Sequence, residues 1–239
     1  MNAMFKKGML ASVLAVAASS AMAASSIDIQ VTGKIVPASC TPAFVSGGGI
    51  ADFGTMKAAD LNDTTATALA DTKIIPISIT CESPTRVGVT FNDAHADSAP
   101  TADMSISFNG NTDFAINPAS TAGLGMYNGK KIGAYSMGIQ RDAGTATNDT
   151  GDNLYPIFQT DASLVSGWGD KAGIHYLQIN TDKSETYSFT NVLGGDAPVA
   201  QKQINFNVGI MAQINPTNDL NITDEVTLDG LTNVELVYL

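Results

Sequence analysis

The fold of this chain is decided by residues 203–214, which read QINFNVGIMAQI. Apolar side chains occupy every second position of this stretch, namely Ile204, Phe206, Val208, Ile210, Ala212 and Ile214. The positions between them are polar or glycine, except for Met211. A period of two is typical of a strand with one face on a core and the other in water. The stretch therefore predicts a long antiparallel strand.

The same alternation recurs on both sides of this stretch. Four further runs show it: Ile27, Ile29, Val31 and Ile35; Ile75, Ile77, Ile79 and Cys81; Val87, Val89 and Phe91; Val234, Leu236 and Tyr238. Each run predicts a half-buried strand. A turn is expected at Ser83-Pro84, between the second and third runs. Helical patterns are few, and residues 56–70 are expected to form mainly loop.

The middle of the chain, residues 92–173, is dense in Gly, Asn, Asp, Ser and Thr. Four shorter strand candidates fall in or near it, at residues 104–108, 132–140, 154–159 and 173–179. No Pro-rich or charge-rich boundary divides the chain into independent parts. We therefore predict one all-β domain, a sandwich with an elaborated middle.

The composition excludes several classes of protein. The 239 residues carry 12 Lys and Arg against 23 Asp and Glu, a formal net charge of −11 at pH 7. Nucleic acids and anionic membrane surfaces are bound by basic faces, so neither is expected as a partner. With 22 Gly and only 15% charged residues, the chain favours short strands and turns over long helices.

Residues 1–23 have the pattern of a secretory signal peptide. Lys6 and Lys7 precede an uncharged apolar run, and Ala21 and Ala23 supply the small residues of a cleavage site. The run is shorter than the ~20 residues that a transmembrane helix needs. We expect cleavage after Ala23 and export of the mature protein.

The chain has two cysteines, Cys40 and Cys81. In an exported protein the oxidising compartment favours a disulfide bond between them. The competing interpretation is a zinc site. Two cysteines without a CxxC spacing, and two histidines (His95 and His175) distant in sequence, make a poor one. We predict the disulfide and no metal site.

The order of these motifs resembles the front half of a chaperone–usher fimbrial subunit, or pilin. The matching stretches are residues 33–40 (GKIVPASC), 52–54 (DFG), 77–81 (ISITC) and 87–91 (VGVTF). The C-terminal alternation, with its penultimate Tyr238, is similar to the end of such subunits. The whole chain looks closest to the β-fimbriae major subunit family, a domain of formerly unknown function. The resemblance covers both ends better than residues 100–175.

The resemblance implies an immunoglobulin-like sandwich that lacks its last strand and so leaves an apolar groove along its core. A periplasmic chaperone first fills the groove. The N-terminal extension of the next subunit then replaces the chaperone at an outer-membrane usher, by β-strand addition. The protein would thus pass through the periplasm to a fimbria on the cell surface, with copies of itself as partners and a role in adhesion or biofilm.

The resemblance also assigns parts of this chain to the two halves of that mechanism. Residues 24–32 would be the donated extension, ahead of a pilin-like domain at residues 33–239. The groove-filling side chains of the donor strand would be Ile27, Ile29 and Val31. The residues bordering the groove and contacting the chaperone would be Val234, Leu236 and Tyr238.

Two alternatives stay open at the level of sequence. The first alternative is a self-complete secreted sandwich. In that protein, residues 27–35 would form an ordinary first strand. Such a protein would bind other molecules, for example carbohydrate stacked on Trp168 in Ser166-Gly167-Trp168-Gly169. An outer-membrane β-barrel is the remaining alternative, although Glu235 would then share the lipid-facing side of the last strand.

The sequence predicts neither an enzyme nor a cofactor, since it has no GxSxG, HExxH, CxxC or glycine-rich phosphate motif. His95, within residues 92–97 (NDAHAD), is expected at a polar loop tip rather than in an acid–base cluster. His175 is expected to be a surface or core histidine. Residues 148–153 (NDTGDN) carry the oxygen atoms that calcium favours, but without the distal Glu, so they are expected to form a solvated turn.

Overall fold

The computed structural model describes residues 29–35, 38–101, 117–171 and 175–239. The chain divides into two compact units, Met1–Val36 and Pro37–Leu239. In the first unit, residues 29–35 belong to no strand and their side chains are exposed. The predicted strand over residues 27–35 is therefore wrong for its described part, because alternation yields a strand only where a neighbouring strand pairs with it. Ile27 lies outside the described residues.

Strands are the main regular elements in the described part of the second unit. They are β1 (Cys40–Phe44), β2 (Thr67–Ala68), β3 (Lys73–Thr85), β4 (Val87–Asp93), β5 (Thr121–Gly123), β6 (Met126–Tyr127), β7 (Lys130–Lys131), β8 (Gly133–Gln140), β9 (Ala146–Asn148), β10 (Tyr155–Gln159), β11 (Tyr176–Gln178), β12 (Thr186–Thr190), β13 (Gln201–Ile214) and β14 (Thr232–Tyr238). One short helix, α1 (Thr217–Leu220), follows β13.

The strands form two main antiparallel sheets. The larger sheet has the order β1-β3-β13-β8-β11, with β2 and β9 pairing with β13 and β5 pairing with β8. The smaller sheet has the order β10-β12-β4-β14, and β6 pairs with β7 in a separate ribbon. In both main sheets the path ends at an edge strand, and these include β1 in the larger sheet and β14 in the smaller one.

A single apolar core joins the two main sheets. Ile75, Ile77 and Ile79 face it from β3, and the alternate residues of β13 face it beside them. Phe206 of β13 meets Phe189 of β12 across the sheets, with ring centroids 5.0 Å apart. The all-β sandwich predicted from the alternation is confirmed.

The predicted strands at residues 75–81, 87–91, 132–140, 154–159 and 203–214 correspond to β3, β4, β8, β10 and β13. The predicted turn at Ser83-Pro84 is wrong, because β3 continues to Thr85, which pairs with Gln201 of β13. The chain then crosses at Arg86 to the other sheet, where β4 begins. The candidate at residues 104–108 lies outside the described residues. The candidate at residues 173–179 contains β11 within its described part, residues 175–179, and its first two residues lie outside the described ranges. Residues 56–70 are mainly loop, as predicted.

Candidate functional site: the open edge of β14

The last strand, β14, has one paired side and one open side. It pairs with β4 from Thr232 opposite Asp93 to Tyr238 opposite Val87. No other strand pairs with it in the described part of the chain. An unpaired edge presents a row of N–H and C=O groups on which another strand can form.

The hydrogen bonds at the two ends of β14 identify the residues that face this open side. The N–H of Ala94 donates to the carbonyl of Leu231 at 2.8 Å, and the N–H of Leu239 donates to the carbonyl of Arg86 at 3.1 Å. Alternate residues of an antiparallel pair turn their main-chain groups towards the partner, so the odd-numbered residues bond to β4. The main-chain groups on the open side therefore belong to Thr232, Val234, Leu236 and Tyr238.

The side chains of Thr232, Val234 and Leu236 on this side are half-buried, whereas that of Tyr238 is 43% exposed. Val234 and Leu236 are half-buried and pack against the core, whereas Asn233 and Glu235 on the opposite face are exposed. The open side of β14 thus combines free main-chain groups with an incompletely covered apolar row. An added strand that carries apolar side chains at every second position would cover that row and satisfy those groups.

Tyr238 connects this edge to the disulfide. Its hydroxyl accepts a hydrogen bond from the main-chain N–H of Cys40 at 2.8 Å. Cys40 begins β1, the edge strand of the larger sheet, and is disulfide-bonded to Cys81 directly opposite it on β3. The predicted disulfide is confirmed. The Tyr238 contact brings the edge strands of the two sheets together at this end of the sandwich.

Residues 51–56, which contain the DFG stretch, are a second segment with unpaired main chain. None of their main-chain groups bonds to the main chain of another described residue. Phe53 and Met56 are nevertheless half-buried against the core. They line a cavity of about 270 Å³ together with Leu61 and Leu69, and the ammonium of Lys73 lies 5.5 Å from the centre of the Phe53 ring.

The described residues of the N-terminal unit carry an apolar row of their own. Ile29, Val31 and Ile35 are 87%, 92% and 102% exposed. Full burial of such a side chain is worth about 1.5–3 kcal/mol, which the described part of the chain leaves unused here. The donor residues expected from the resemblance, Ile29 and Val31, thus lie in water. The expected acceptor residues, Val234, Leu236 and Tyr238, lie together on one open edge.

The contacts of His95 hold two loop segments together. Its Nδ1 lies 2.6 Å from the carbonyl oxygen of Asp229, and its main-chain N–H donates to the carboxylate of Asp93 at 2.8 Å. The hydrogen bond to Asp229 raises the pKa of His95, and the carboxylates of Asp229, Asp93 and Asp97 add to this. The histidine thereby fastens the turn after β4 to the segment that leads into β14.

The other polar candidates also form local contacts. Nδ1 of His175 lies 3.0 Å from the exposed carboxylate of Asp142. The side-chain oxygen of Asn148 accepts hydrogen bonds from the N–H groups of Thr150 and Asp152. Bonds from Thr150 and Asn148 lower the pKa of Asp152. Within the described ranges, no group of three or more His, Cys, Asp or Glu side chains is placed to hold a metal ion.

Trp168, the residue on which a carbohydrate site would depend, is buried. It is 5% exposed, and its Nε1 donates to the carbonyl of Leu164 at 3.3 Å. Stacking on a sugar needs an accessible ring face, so this side chain belongs to the packing of the loop before β11.

No pattern in the sequence predicts the buried charged cluster formed by Lys171, Glu185 and Tyr187. The ammonium of Lys171 and the hydroxyl of Tyr187 both donate to the same carboxylate oxygen of Glu185. The ammonium also lies 4.8 Å from the centre of the Phe158 ring. Burial lowers the pKa of Lys171 and raises that of Tyr187. The residues lie in separate loops and strands, so no sequence spacing could have found them.

Comparison with known proteins establishes the family. The model of the family described as "Protein of unknown function (DUF1120)" matches residues 29–136. Protein GltF of Escherichia coli K12 is 30% identical, in an alignment covering 98% of this chain and 99% of GltF. The chain belongs to the DUF1120 family. A second relative, the uncharacterized protein YhcF of the same organism, is 27% identical over 93% of this chain and 94% of its own length.

In this DUF1120 protein the matched region begins at Ile29, in the exposed N-terminal segment, and includes the disulfide and strands β1 to β7. The alignments to the two relatives extend over nearly the whole chain. Among the described residues of the DUF1120 protein, no helix is both long and apolar enough to cross a membrane.

Proposed function

We propose that this protein is a structural subunit of a surface fimbria, in which each subunit donates its N-terminal extension to the open edge of the next. One observation carries the proposal. The chain has an exposed, alternating apolar segment without a strand partner and, separately, an edge strand whose free main-chain groups border a half-buried apolar row. These two parts are complementary in the way that β-strand addition requires.

The donated segment would be residues 24–32, with Ile27, Ile29 and Val31 directed into the edge. Burying three such side chains contributes about 5–9 kcal/mol before the cost of ordering the segment is subtracted. The main-chain groups of Thr232, Val234, Leu236 and Tyr238 would supply hydrogen bonds along the same strand. Affinity would come from this ladder and specificity from the alternate side chains.

The open edge also accounts for the expected partners. A long unpaired edge with apolar side chains promotes aggregation. A subunit of this kind needs a periplasmic chaperone that covers β14 until the next subunit arrives at an outer-membrane usher. The proposal therefore includes export by the signal peptide at residues 1–23, passage through the periplasm and assembly on the cell surface with copies of this chain.

A peptide-complementation experiment tests the donor and the acceptor separately. The acceptor is the chain with residues 24–31 deleted, and the donor is a synthetic peptide of residues 24–35. The peptide should raise the free energy of unfolding with the logarithm of its concentration, by about 2.7 kcal/mol at a hundredfold excess over its dissociation constant. Calorimetry would measure the binding.

Two matched controls accompany this measurement. A peptide with Ile29→Asp should bind at least tenfold more weakly, because a charge would enter an apolar seam. A peptide with Gln30→Asp, which places the same charge on the opposite face, should bind nearly as well as the original. Equal binding of both peptides, or an acceptor that is not stabilised by the original peptide, would contradict the proposal.

A further inference from the structure

Three places in the chain have the pattern Asn-x-Thr in which x is not proline, the acceptor pattern for N-linked glycans in exported proteins. They are residues 62–64 (NDT), 148–150 (NDT) and 221–223 (NIT). A glycan can be attached only where the asparagine amide is exposed and the threonine hydroxyl is free to be recognised. The three places differ in both respects.

The side chains of Asn62 and Thr64 are exposed and free of hydrogen bonds to the rest of the described chain. Within this loop the carboxylate of Asp63 accepts a hydrogen bond from the Thr217 hydroxyl at 2.8 Å, and the other contacts are made by the main chain. The N–H of Thr217, in α1, donates to the carbonyl of Asn62 at 3.0 Å, and the N–H of Asn62 donates to the hydroxyl of Thr67 at 2.8 Å. Asp60, also exposed, stands two residues before Asn62 and completes an acidic form of the pattern, Asp-x-Asn-x-Thr.

At residues 148–150, in contrast, the two side chains are occupied by each other. The hydroxyl of Thr150 donates to the side-chain oxygen of Asn148 at 2.8 Å and also contacts the carboxylate of Asp152. The amide nitrogen of Asn148 donates to that same carboxylate at 3.3 Å. Attachment at Asn148 would require this turn to open.

The third place is intermediate. Asn221 is exposed but takes the left-handed conformation that ends α1, with φ of 50°. The hydroxyl of Thr223 contacts the hydroxyl of Tyr127 at 3.2 Å, and its main-chain N–H donates to the same oxygen. The threonine of this place is therefore partly engaged, whereas that of residues 62–64 is not.

We propose that Asn62 is an acceptor for an N-linked glycan. The co-substrate is an oligosaccharide joined through pyrophosphate to a membrane lipid. Nδ2 of Asn62 forms a bond to the anomeric carbon of the first sugar while the bond from that carbon to the pyrophosphate oxygen breaks. The lipid pyrophosphate leaves with the electron pair, and the amide proton passes to a base of the transferase. The biological relevance rests on the export proposed above, whereas the acceptor chemistry does not.

The test uses the purified full chain, a purified bacterial oligosaccharyltransferase and the lipid-linked oligosaccharide, with intact mass as the readout. The chain should gain the mass of one glycan. Asn62→Gln and Thr64→Ala should each reduce the modified fraction at least tenfold, while Asn148→Gln should leave it unchanged. A synthetic peptide of residues 58–66 should be modified as well. Because no assembly or secretion takes place in this assay, its result is independent of the fimbrial proposal.

Two kinds of result would overturn the assignment of Asn62. One is a folded chain that stays unmodified, whether or not the peptide accepts the glycan. The other is a modified fraction that persists in Asn62→Gln and disappears in Asn148→Gln or Asn221→Gln, which would transfer the site to one of those loops.

Discussion

Glu185 is a nearly buried carboxylate that depends on two donors, the Lys171 ammonium and the Tyr187 hydroxyl. A buried ion pair adds little net stability, but loss of one partner leaves an uncompensated charge. The cluster joins residues that come from β12 and from the loops before β11 and β12. Its role is therefore to hold these parts of the elaborated middle in place against the smaller sheet.

We expect Lys171→Met to lower the free energy of unfolding by about 3 kcal/mol, because Glu185 would remain charged and without its cation. The double variant Lys171→Met/Glu185→Gln should recover more than half of the loss. Urea unfolding followed by tryptophan fluorescence measures both.

The control for this variant is Lys183→Met, which removes the exposed pair with Glu235 and should cost less than about 1 kcal/mol. If Lys171→Met and Lys183→Met lower the free energy of unfolding by the same amount, the buried cluster does not hold these loops in place.

His95 predicts a dependence of stability on pH. Its pKa is raised in the folded protein by the hydrogen bond to the Asp229 carbonyl and by neighbouring carboxylates. Its contribution is therefore fully present below the ordinary histidine pKa of about 6.5 and is lost as the pH rises through the raised value. We expect His95→Gln to destabilise the protein more at about pH 5 than at about pH 9. Paired urea titrations measure this, and a loss that is larger at the higher pH would have the wrong sign.

At the scale of elements, variants on the two faces of β14 distinguish a loss of strand pairing from a loss of stability alone. We expect Leu236→Asp to abolish co-purification with a tagged periplasmic chaperone, since it places a charge on the row that the chaperone strand would cover. The matched control is Asn233→Asp, which adds the same charge to the exposed face of the same strand and should leave recovery nearly unchanged. Equal recovery of the two variants from periplasm would show that this edge is not the chaperone site.

Most of the strands of five or more residues could be predicted from the sequence, including β4 and β8, which are almost entirely buried. Clean alternation marks β3, β13 and β14. In contrast, β12 (Thr186–Thr190) was missed because its alternation contains only two apolar positions, Tyr187 and Phe189, which are too few to establish a period. The two-residue and three-residue strands are too short to show any period. Beyond Ser83, β3 continues because it pairs with β13, and the hydrophobic pattern does not reveal that pairing. The predicted turn there was therefore wrong.

For the candidate site, the sequence predicted the residues but not their arrangement. The alternation at Val234, Leu236 and Tyr238 identified an apolar face, yet the open side of β14 follows only from its position at the end of the smaller sheet. The hydrogen bond between Tyr238 and Cys40 spans residues far apart in sequence and could not be read from spacing. The alternation at Ile29 and Val31 was visible, whereas their exposure was not.

At the scale of the whole molecule, the central claim is that one chain donates a strand and another accepts it. The donor segment and the acceptor edge lie at opposite ends of the sequence. Linear growth follows if each copy uses its donor on the next copy and the rotation between copies does not close a ring. The resulting fibre would be held by many main-chain hydrogen bonds and would resist mild heating in detergent.

The most direct measurement is a surface extract, heated at graded temperatures and separated by size, from cells that make either the full chain or the chain without residues 24–31. We predict that the full chain gives a ladder of multimers in steps of one mature subunit, which collapses to monomer on boiling. The deletion variant should give only monomer, recovered in the periplasm with the chaperone. A heat-resistant ladder from the deletion variant, or a full chain that is monomeric at every temperature, would contradict the account.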